Sequence, residues 1–282
     1  MRSQIICGAR PMFDMLAREI RDRRVILFVG AGLSRPLGLP SWRELIEHMA
    51  EELDFDPAIL VGSGADYLQV AEFYKLRKGN IGDLRSWMDR SWNVTDGKLL
   101  ASKVHSQIVE LGFPLIYTTN YDTNIERAFR LLGHNVSRIA SVVDIVDAKP
   151  DYTHVVKFHG DFSDDNSLVV TESDYFDRLE FESPLDLKLR SDVLGRTVLF
   201  VGYSLKDLNL RLLLYKLKRT WDGTAYAKRR PQSFIFLVRP DVVQEEVLES
   251  RGVSPIVSDS LDPDEALPEF FDRLLETVRR AG

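Results

Sequence analysis

Glycine and polar residues follow four apolar runs of the sequence, and each run has the composition of a buried strand. In a parallel sheet the carboxyl ends of the strands share one edge, and ligands bind outside that edge. Backbone N–H groups in a glycine turn can bind an anion, and an imidazole can exchange a proton near neutral pH. The sequence therefore predicts one ligand site, made from residues 30–34, 119–122, 159–160 and 202–204.

The glycine turn Gly30-Ala31-Gly32 gives the first indication of what the ligand is. It follows the apolar run of residues 25–29, and glycine there lets the phosphates of a nucleotide approach the backbone. The dinucleotide fingerprint Gly-x-Gly-x-x-Gly is incomplete, because Arg35 stands where its third glycine would be. On this motif alone two interpretations stay open: a nucleotide phosphate site, and a tight turn between a strand and a helix.

The elements that carry these residues alternate between strand and helix. Alternation of this kind indicates an α/β fold, here a Rossmann-like, doubly wound and mainly parallel sheet covered by helices on both faces. Residues 42–111 show helical patterns, at 65–77, 82–91 and 99–111, and no good strand. We predict a Rossmann-like domain from residues 1–41 and 112–282, with residues 42–111 as a helical insertion or cap. Strands are predicted at residues 25–29, 114–119, 136–140, 155–158, 197–201, 233–238 and 253–257.

Composition restricts the function classes. The chain has 282 residues, of which 44% are apolar, so it can bury a sizeable core. A net charge of −6 and a pI near 5.5 argue against a protein that coats nucleic acid, and no direct nucleic-acid site is evident. The single cysteine, Cys7, allows neither an internal disulfide nor a cysteine-based zinc site. The first residues lack a signal-peptide core and the apolar runs are too short to span a bilayer, so we expect a soluble, cytoplasmic protein with no membrane partner.

The four motifs, taken together and in this order, resemble the sirtuin family of NAD-consuming proteins. The family's phosphate loop, Gly-Ala-Gly-x-Ser with Gly-x-Pro downstream, is matched by residues 30–34 and 38–40. Its Asn-x-Asp, His-Gly and glycine-serine elements are matched by residues 120–122, 159–160 and 202–204. The resemblance covers residues 25–238, and the combination of motifs is far more specific than any one of them.

Two departures separate this chain from the sirtuin deacylases. It lacks the four zinc-binding cysteines of their small domain, and Ser41-Trp42 stands where they have Phe-Arg. Residues 118–122 and 202–209 look more like the sirtuin-like domains of bacterial antiphage defence proteins. That resemblance implies NAD hydrolysis to nicotinamide and ADP-ribose, with no metal. It also implies a homo-oligomer, and similarity to the subunit that partners a HerA-type hexameric ATPase.

The resemblance implies a role for individual residues, and each has a plainer alternative. Asn120 would hold the attacking water or the ribose, and Asp122 would accept a hydrogen bond from the nicotinamide carboxamide; either could instead cap the following helix. His159 would be the base, since imidazole titrates near neutrality, although a lone histidine at a strand end usually has no special role.

The nucleotide-binding residues are assigned in the same way. Gly202 and Ser204 are expected at the adenosine half of NAD, although Ser204 also fits a helix-capping pattern. Arg35 could pair with a phosphate or lie on the surface. The diphosphate is expected at Gly30, Ala31, Gly32, Ser34 and Arg35.

The leading hypothesis is therefore a regulated NAD+ hydrolase that depletes NAD in bacterial antiphage defence. A second hypothesis is a non-catalytic subunit that binds NAD or ADP-ribose within an ATPase complex, because a fold and a phosphate loop do not guarantee chemistry. A protein deacylase is the third, and the missing cysteines count against it. A phosphatase or nuclease is weakest, because no acidic cluster has metal-ligand spacing.

Overall fold

The computed structural model describes residues 2–62, 66–180, 182–203, 208–222, 229–240 and 242–280. In this part of the chain seven strands form one sheet in the order β3-β4-β2-β1-β5-β6-β7, and every neighbouring pair is parallel. The predicted Rossmann-like parallel sheet is confirmed. The strands are β1 Val25–Val29, β2 Leu115–Thr118, β3 Val136–Ile139, β4 Thr153–Lys157, β5 Thr197–Val201, β6 Ser233–Leu237 and β7 Val253–Val257.

Helices connect the strands and cover both faces of the sheet. None of the helices described is long and apolar enough to cross a membrane. The described helices are α1 Arg2–Arg21, α2 Trp42–Glu52, α3 Pro57–Gly62, α4 Tyr67–Lys78, α5 Gly82–Trp92, α6 Asp96–Leu100, α7 Lys103–Leu111, α8 Asn124–Leu131, α9 Val142–Asp147, α10 Glu172–Glu180, α11 Pro184–Val193, α12 Leu208–Trp221, α13 Val242–Ser250 and α14 Pro263–Arg280.

Strand β1 lies at the centre of the sheet and is buried throughout. Its alternate side chains Val25, Leu27 and Val29 pack against α1, α7, α8 and α14, whereas Ile26 and Phe28 pack against α11, α12 and α13. Burial on both faces explains its unbroken apolar sequence, because each such side chain stabilises the fold by about 1.5–3 kcal/mol. The chain runs from β1 to β2 on one side and returns to β5 on the other, which creates a crevice at the carboxyl ends.

Helices α2, α4 and α5 form a separate apolar cluster above the carboxyl edge of the sheet. Tyr121, from the loop after β2, and Phe162, from the loop after β4, belong to the same cluster. Helix α7, by contrast, packs Val104 and Ile108 into the core on the face of the sheet that carries Val25, Leu27 and Val29. The division of the chain at residues 42 and 111 stays a prediction. Of the predicted cap, α2, α4 and α5 are the helices that share an apolar cluster with the loops after β2 and β4.

Capping chemistry explains several helix ends. The predicted capping box at Ser41 and Glu44 is present at the start of α2. The one helix predicted over residues 99–111 is divided into α6 and α7, because Ser102 takes an extended conformation and its Oγ lies 2.7 Å from Nδ1 of His105. Helix α10 was not predicted, although Thr171 and Asp174 bond reciprocally at its start and form a capping pattern readable from the sequence.

Gly160 makes the turn that follows β4. Its φ is +79°, and a Cβ at this position would collide with the backbone carbonyl of Ser167. Gly133, after α8, has almost the same φ, +80°, but a Cβ there would meet no atom of the described residues within 4 Å. An alanine at Gly133 would therefore add backbone strain alone, whereas an alanine at Gly160 would add the same strain and a steric clash.

We expect Gly133→Ala to lower the free energy of unfolding by about 1–2 kcal/mol, which is the strain of a left-handed alanine. Gly160→Ala carries the same strain and in addition displaces the Ser167 segment, so its loss should be clearly larger. Urea unfolding of the two variants beside wild type measures both values. Equal losses would contradict the close approach of Ser167 to Gly160.

Candidate functional site

The loops that follow β1 and β5 contact each other backbone to backbone. The N–H of Gly30 donates to the carbonyl of Val201 at 2.9 Å, and the N–H of Gly32 donates to that of Gly202 at 2.9 Å. A Cβ on Gly30 would lie 2.6 Å from the Gly202 oxygen, and one on Gly32 would lie 2.8 Å from the Gly202 Cα. Glycine is thus required here for close packing of the two loops, whatever ligand they bind.

Hydrogen bonds between and within these loops use most of the backbone donors of the glycine loop. Besides Gly30 and Gly32, Leu33 donates to the carbonyl of Gly30 at 3.1 Å and Ser34 donates to that of Ala31 at 3.1 Å. The N–H of Ala31 has no acceptor among the described residues. It is therefore the backbone group of this loop that an anion could approach without breaking a protein hydrogen bond.

Asn120 joins the end of β2 to the glycine loop. Its Nδ2 donates to Oγ of Ser34 at 3.2 Å and to the carbonyl of Gly30 at 3.4 Å. Asp122 instead accepts the N–H of Asn124 at 3.0 Å, at the first turn of α8. Asp122 lies one residue before Thr123, the N-cap of α8, so its carboxylate makes a local turn contact at the helix start, while the Asn120 amide is directed at the glycine loop.

His159 is enclosed between β4 and α10. Its ring centroid lies 5.3 Å from that of Tyr175, and its Nε2 is buried with no hydrogen-bond partner in the described part of the chain. Burial, with a smaller contribution from the Arg178 guanidinium, lowers the pKa of His159 to about 3. The buried imidazole is therefore neutral at physiological pH and only a weak base, so the expectation that it titrates near neutrality does not hold while it is enclosed.

Arg178 of α10 fixes the backbone next to His159. Its Nη2 donates to the carbonyl of Phe158 at 2.8 Å, and its guanidinium carbon lies 4.2 Å from the centre of the Phe158 ring. Its Nη2 also lies 3.1 Å from a carboxylate oxygen of Asp186, which is almost fully buried. This contact was not predicted, since Arg178 is 19 positions beyond His159 on a helix that was itself not predicted.

Tyr203 closes the third side of the crevice. Its hydroxyl donates to the carbonyl of Val29 at 3.0 Å and lies 3.1 Å from Oγ1 of Thr119. Its ring packs 5.6 Å from the ring of Phe28. One side chain after β5 thus links the ends of β1 and β2, a role that the motif Gly202-Tyr203-Ser204 did not reveal.

Direct contacts join Gly30, Gly32, Ser34, Asn120 and Gly202, whereas His159 lies at the same sheet edge without a contact to them among the described residues. Ser34, Asn120, Asp122 and His159 all follow central strands, and none is more than 7% exposed. Arg35 lies apart: its side chain is 63% exposed and its Nε is 3.5 Å from Asp264 at the start of α14. Ser204 lies outside the described residues. In the described part of the chain no group of three or more His, Cys, Asp or Glu side chains is placed to hold a metal.

A cavity of about 430 Å³ lies at the opposite edge of the sheet, where β6 and β7 begin. It is lined by residues such as Trp221, Arg230 and Gly252. The Arg230 guanidinium already donates to the Gly252 carbonyl. The candidate site at the carboxyl edge differs from this cavity in that polar side chains after β1, β2 and β5 bond to one another there.

The chain is similar to known proteins over much of its length. Residues 114–256 match the family described as SIR2-like domain. The chain belongs to this family. The matched range includes the loops after β2, β4 and β5, and the fold joins the glycine loop after β1 to them. The sirtuin-like family predicted from the four motifs is confirmed.

Individual relatives of this SIR2-like domain come from bacterial proteins. The chain is 31% identical over 207 residues to "NAD(+) hydrolase ThsA" of Enterococcus faecium and 28% identical over 207 residues to that of Bacillus cereus. These matches cover 72% and 73% of the chain and 42% of each relative. It is 25% identical over 257 residues to "Defense-associated sirtuin 2" of Bacillus subtilis, covering 87% of the chain and 24% of that protein. The chain thus spans less than half the length of these relatives.

The buried imidazole predicts an acid-sensitive fold. An unfolded histidine has a pKa near 6.5, so between that pH and about 3 the unfolded state binds one proton more at His159 than the folded state does. Stability contributed by His159 is complete above pH 6.5 and is lost as the pH falls towards 3. Burial also lowers the pKa of His105, to about 4, so this second histidine makes the folded state less stable at acid pH in the same way.

We expect the free energy of unfolding, measured in urea from pH 7 to pH 5, to fall more steeply in wild type than in His159→Gln. The difference in slope should approach one proton, or about 1.4 kcal/mol per pH unit. The substitution His134→Gln, which removes an exposed imidazole, is the control. Identical slopes for wild type and His159→Gln would show that His159 is accessible to solvent.

Proposed function

We propose that this chain cleaves the nicotinamide–ribose bond of NAD+ to give nicotinamide and ADP-ribose. The observation that carries the proposal is the Asn120 amide, bonded to Ser34 of the glycine loop, at the same sheet edge as the unpartnered Nε2 of His159. The family and the names of the relatives support this chemistry. Because this chain spans less than half the length of those relatives, the activity in their names is only proposed for it.

The proposed reaction needs orientation and a proton acceptor rather than a strong acid. As the C–N bond breaks, its electron pair neutralises the pyridinium ring, so nicotinamide leaves without protonation. Water adds to the ribose carbon and loses one proton, so that NAD+ and water give nicotinamide, ADP-ribose and H+. Asn120 orients the water or the ribose. Nε2 of His159 accepts the proton once the movement that admits NAD+ relieves the burial that lowers its pKa.

The rest of the proposed site holds the dinucleotide. The Ala31 N–H, Ser34 and Arg35 bind the diphosphate, and Asp122 accepts a hydrogen bond from the nicotinamide carboxamide. Arg35 must leave its exposed contact with Asp264 to do so, which side chains at the surface do readily. Gly202 and Ser204 lie at the adenosine half.

The proposed setting is antiphage defence in the bacterial cytoplasm. An unregulated NAD+ hydrolase would exhaust the NAD of its own cell, so an inactive state is required. The burial of all four central side chains supports such a state, since NAD cannot reach Asn120 or His159 without movement of the surrounding segments. Self-assembly and an ATPase of the HerA type are the proposed sources of regulation, and no metal is required.

We expect purified wild-type protein to release nicotinamide and ADP-ribose from NAD+, detected by mass spectrometry with and without a candidate partner ATPase and DNA. Asn120→Ala and His159→Ala should each lower turnover by at least about 100-fold, the usual scale for loss of a positioned proton acceptor. His134→Ala and Asn135→Ala, which alter exposed residues of the same two types, should retain activity.

Calorimetric titration with NAD+ distinguishes the remaining functions. Measurable binding with no product under any condition would replace the hydrolase by the non-catalytic binding subunit. Full activity of both Asn120→Ala and His159→Ala would exclude the proposed centre. Release of acetyl groups from an acetylated peptide would point to the deacylase.

A further inference from the structure

Lys157 is a lysine in a position where the sheet otherwise carries uncharged residues. It is the last residue of β4 and pairs in register with Thr118 of β2, which pairs with Val29 of β1, which in turn pairs with Val201 of β5. All four side chains are fully buried. This row lies directly beneath the loops of the proposed active site, and Lys157 precedes His159 by two residues.

The ammonium group of Lys157 reaches the loop that contains Asn120. Its Nζ donates a hydrogen bond to the main-chain carbonyl of Asp122. It also lies 3.6 Å from a carboxylate oxygen of Glu126, on the first turn of α8, whose side chain is 1% exposed. One side chain therefore connects β4, which ends two residues before His159, with the loop that contains Asn120 and Asp122.

The ion pair of Lys157 with Glu126 lacks, in the described part of the chain, the hydrogen bonds that would make a buried ion pair stabilising. Neither carboxylate oxygen of Glu126 has a hydrogen-bond partner among the described residues. Burial raises the pKa of Glu126 and of Asp122, and Lys157 opposes the rise in both. Asp161, the other nearby acid, is already paired with Arg138 at 2.5 Å. Well-packed apolar residues usually serve stability as well as a buried ion pair does, so stability alone does not account for this lysine.

We propose that Lys157 is a positioning residue for the hydrolysis of NAD+, holding the loop of residues 119–124 at a fixed distance from His159. It touches neither substrate nor reacting atoms, and it acts through the carbonyl of Asp122. Glu126 is its counter-ion. The inference rests on the proposed function, because a fixed spacing between Asn120 and His159 matters only if the two act on one substrate.

The test separates positioning from folding by means of a paired substitution. Lys157→Met alone leaves two buried carboxyl groups without their cation and is expected to destabilise the protein. Lys157→Met combined with Glu126→Leu replaces the ion pair by apolar side chains and should restore cooperative unfolding. It does not restore the hydrogen bond to Asp122, so the loop stays unanchored. Lys188→Met, which removes the cation of the Lys188–Asp192 pair on α11, is the control for loss of a partly buried lysine.

Three quantities are measured on wild type, the double variant and Lys188→Met: NAD+ cleavage, the Kd for NAD+, and hydrogen exchange of peptides covering residues 119–124. We expect the double variant to lose at least about tenfold in kcat, since misplacement by an ångström is enough for such a loss, while its Kd changes less than threefold. Amide exchange in residues 119–124 should be faster, and Lys188→Met should resemble wild type in all three.

Two results would overturn the proposal. One is a double variant with restored stability and wild-type kcat, which would make Lys157 a purely structural residue. The other is unchanged exchange of residues 119–124, which would show that Lys157 does not hold this loop. If wild type and Lys188→Met cleave no NAD+ but the double variant still exchanges faster, the hydrolase assignment fails while the link between Lys157 and the loop stands.

Discussion

The backbone contact between the loops after β1 and β5 determines where every other group of the site can lie. Gly30, Gly32 and Gly202 approach so closely that no side chain fits between them, and two N–H donors are used in joining the loops. The carbonyl of Gly30 then becomes an acceptor for Asn120, and Tyr203 is brought over the end of β1. The glycine sequence is thus explained first by packing, and only the Ala31 N–H of the described loop is left over for a ligand.

Burial of His159 away from water is the second constraint, and it determines the protonation state of the imidazole. Enclosure by α10 keeps His159 neutral and leaves its Nε2 without a partner among the described residues, which costs stability and is unusual for a polar atom that merely fills space. Three polar contacts tie α10 to α4 of the cap: Gln69 to Glu172 at 3.3 Å, the Ser173 N–H to Glu72 at 2.9 Å, and Lys75 to Asp174 at 3.0 Å. Helix α4 is therefore bonded to the helix that encloses the imidazole. A movement of α4 that shifts α10 would also change the exposure of His159.

The sheet could be predicted from the sequence, and so could the positions of the loops that carry the candidate site residues, because short stretches of sequence indicate both. Buried parallel strands such as β1 have continuous apolar runs, and the glycines, Asn120 and His159 follow them directly. Contacts between distant positions are not recorded in this way. Nothing adjacent to Lys157 in the sequence indicates that its ammonium group reaches the carbonyl of Asp122, 35 positions earlier. The pairing of Arg178 with the Phe158 carbonyl was missed for the same reason, whereas the capping pattern of Thr171 and Asp174 was readable and overlooked.

The structure also distinguishes Asn120 from Asp122, for both of which the sequence left two roles open, helix capping and ligand binding. Asn120 and Asp122 are both residue types that cap helices, and both precede α8. Asp122 makes the local contact, to the N–H of Asn124, while Asn120 turns away from the helix towards Ser34, 86 positions earlier in the chain. Of these two residues, Asn120 is the one whose side chain the fold joins to the glycine loop, which supports the role proposed for it. The Asp122 carboxylate makes its contact at the start of α8, so it would have to exchange that contact for the nicotinamide carboxamide, while its carbonyl stays bonded to Lys157.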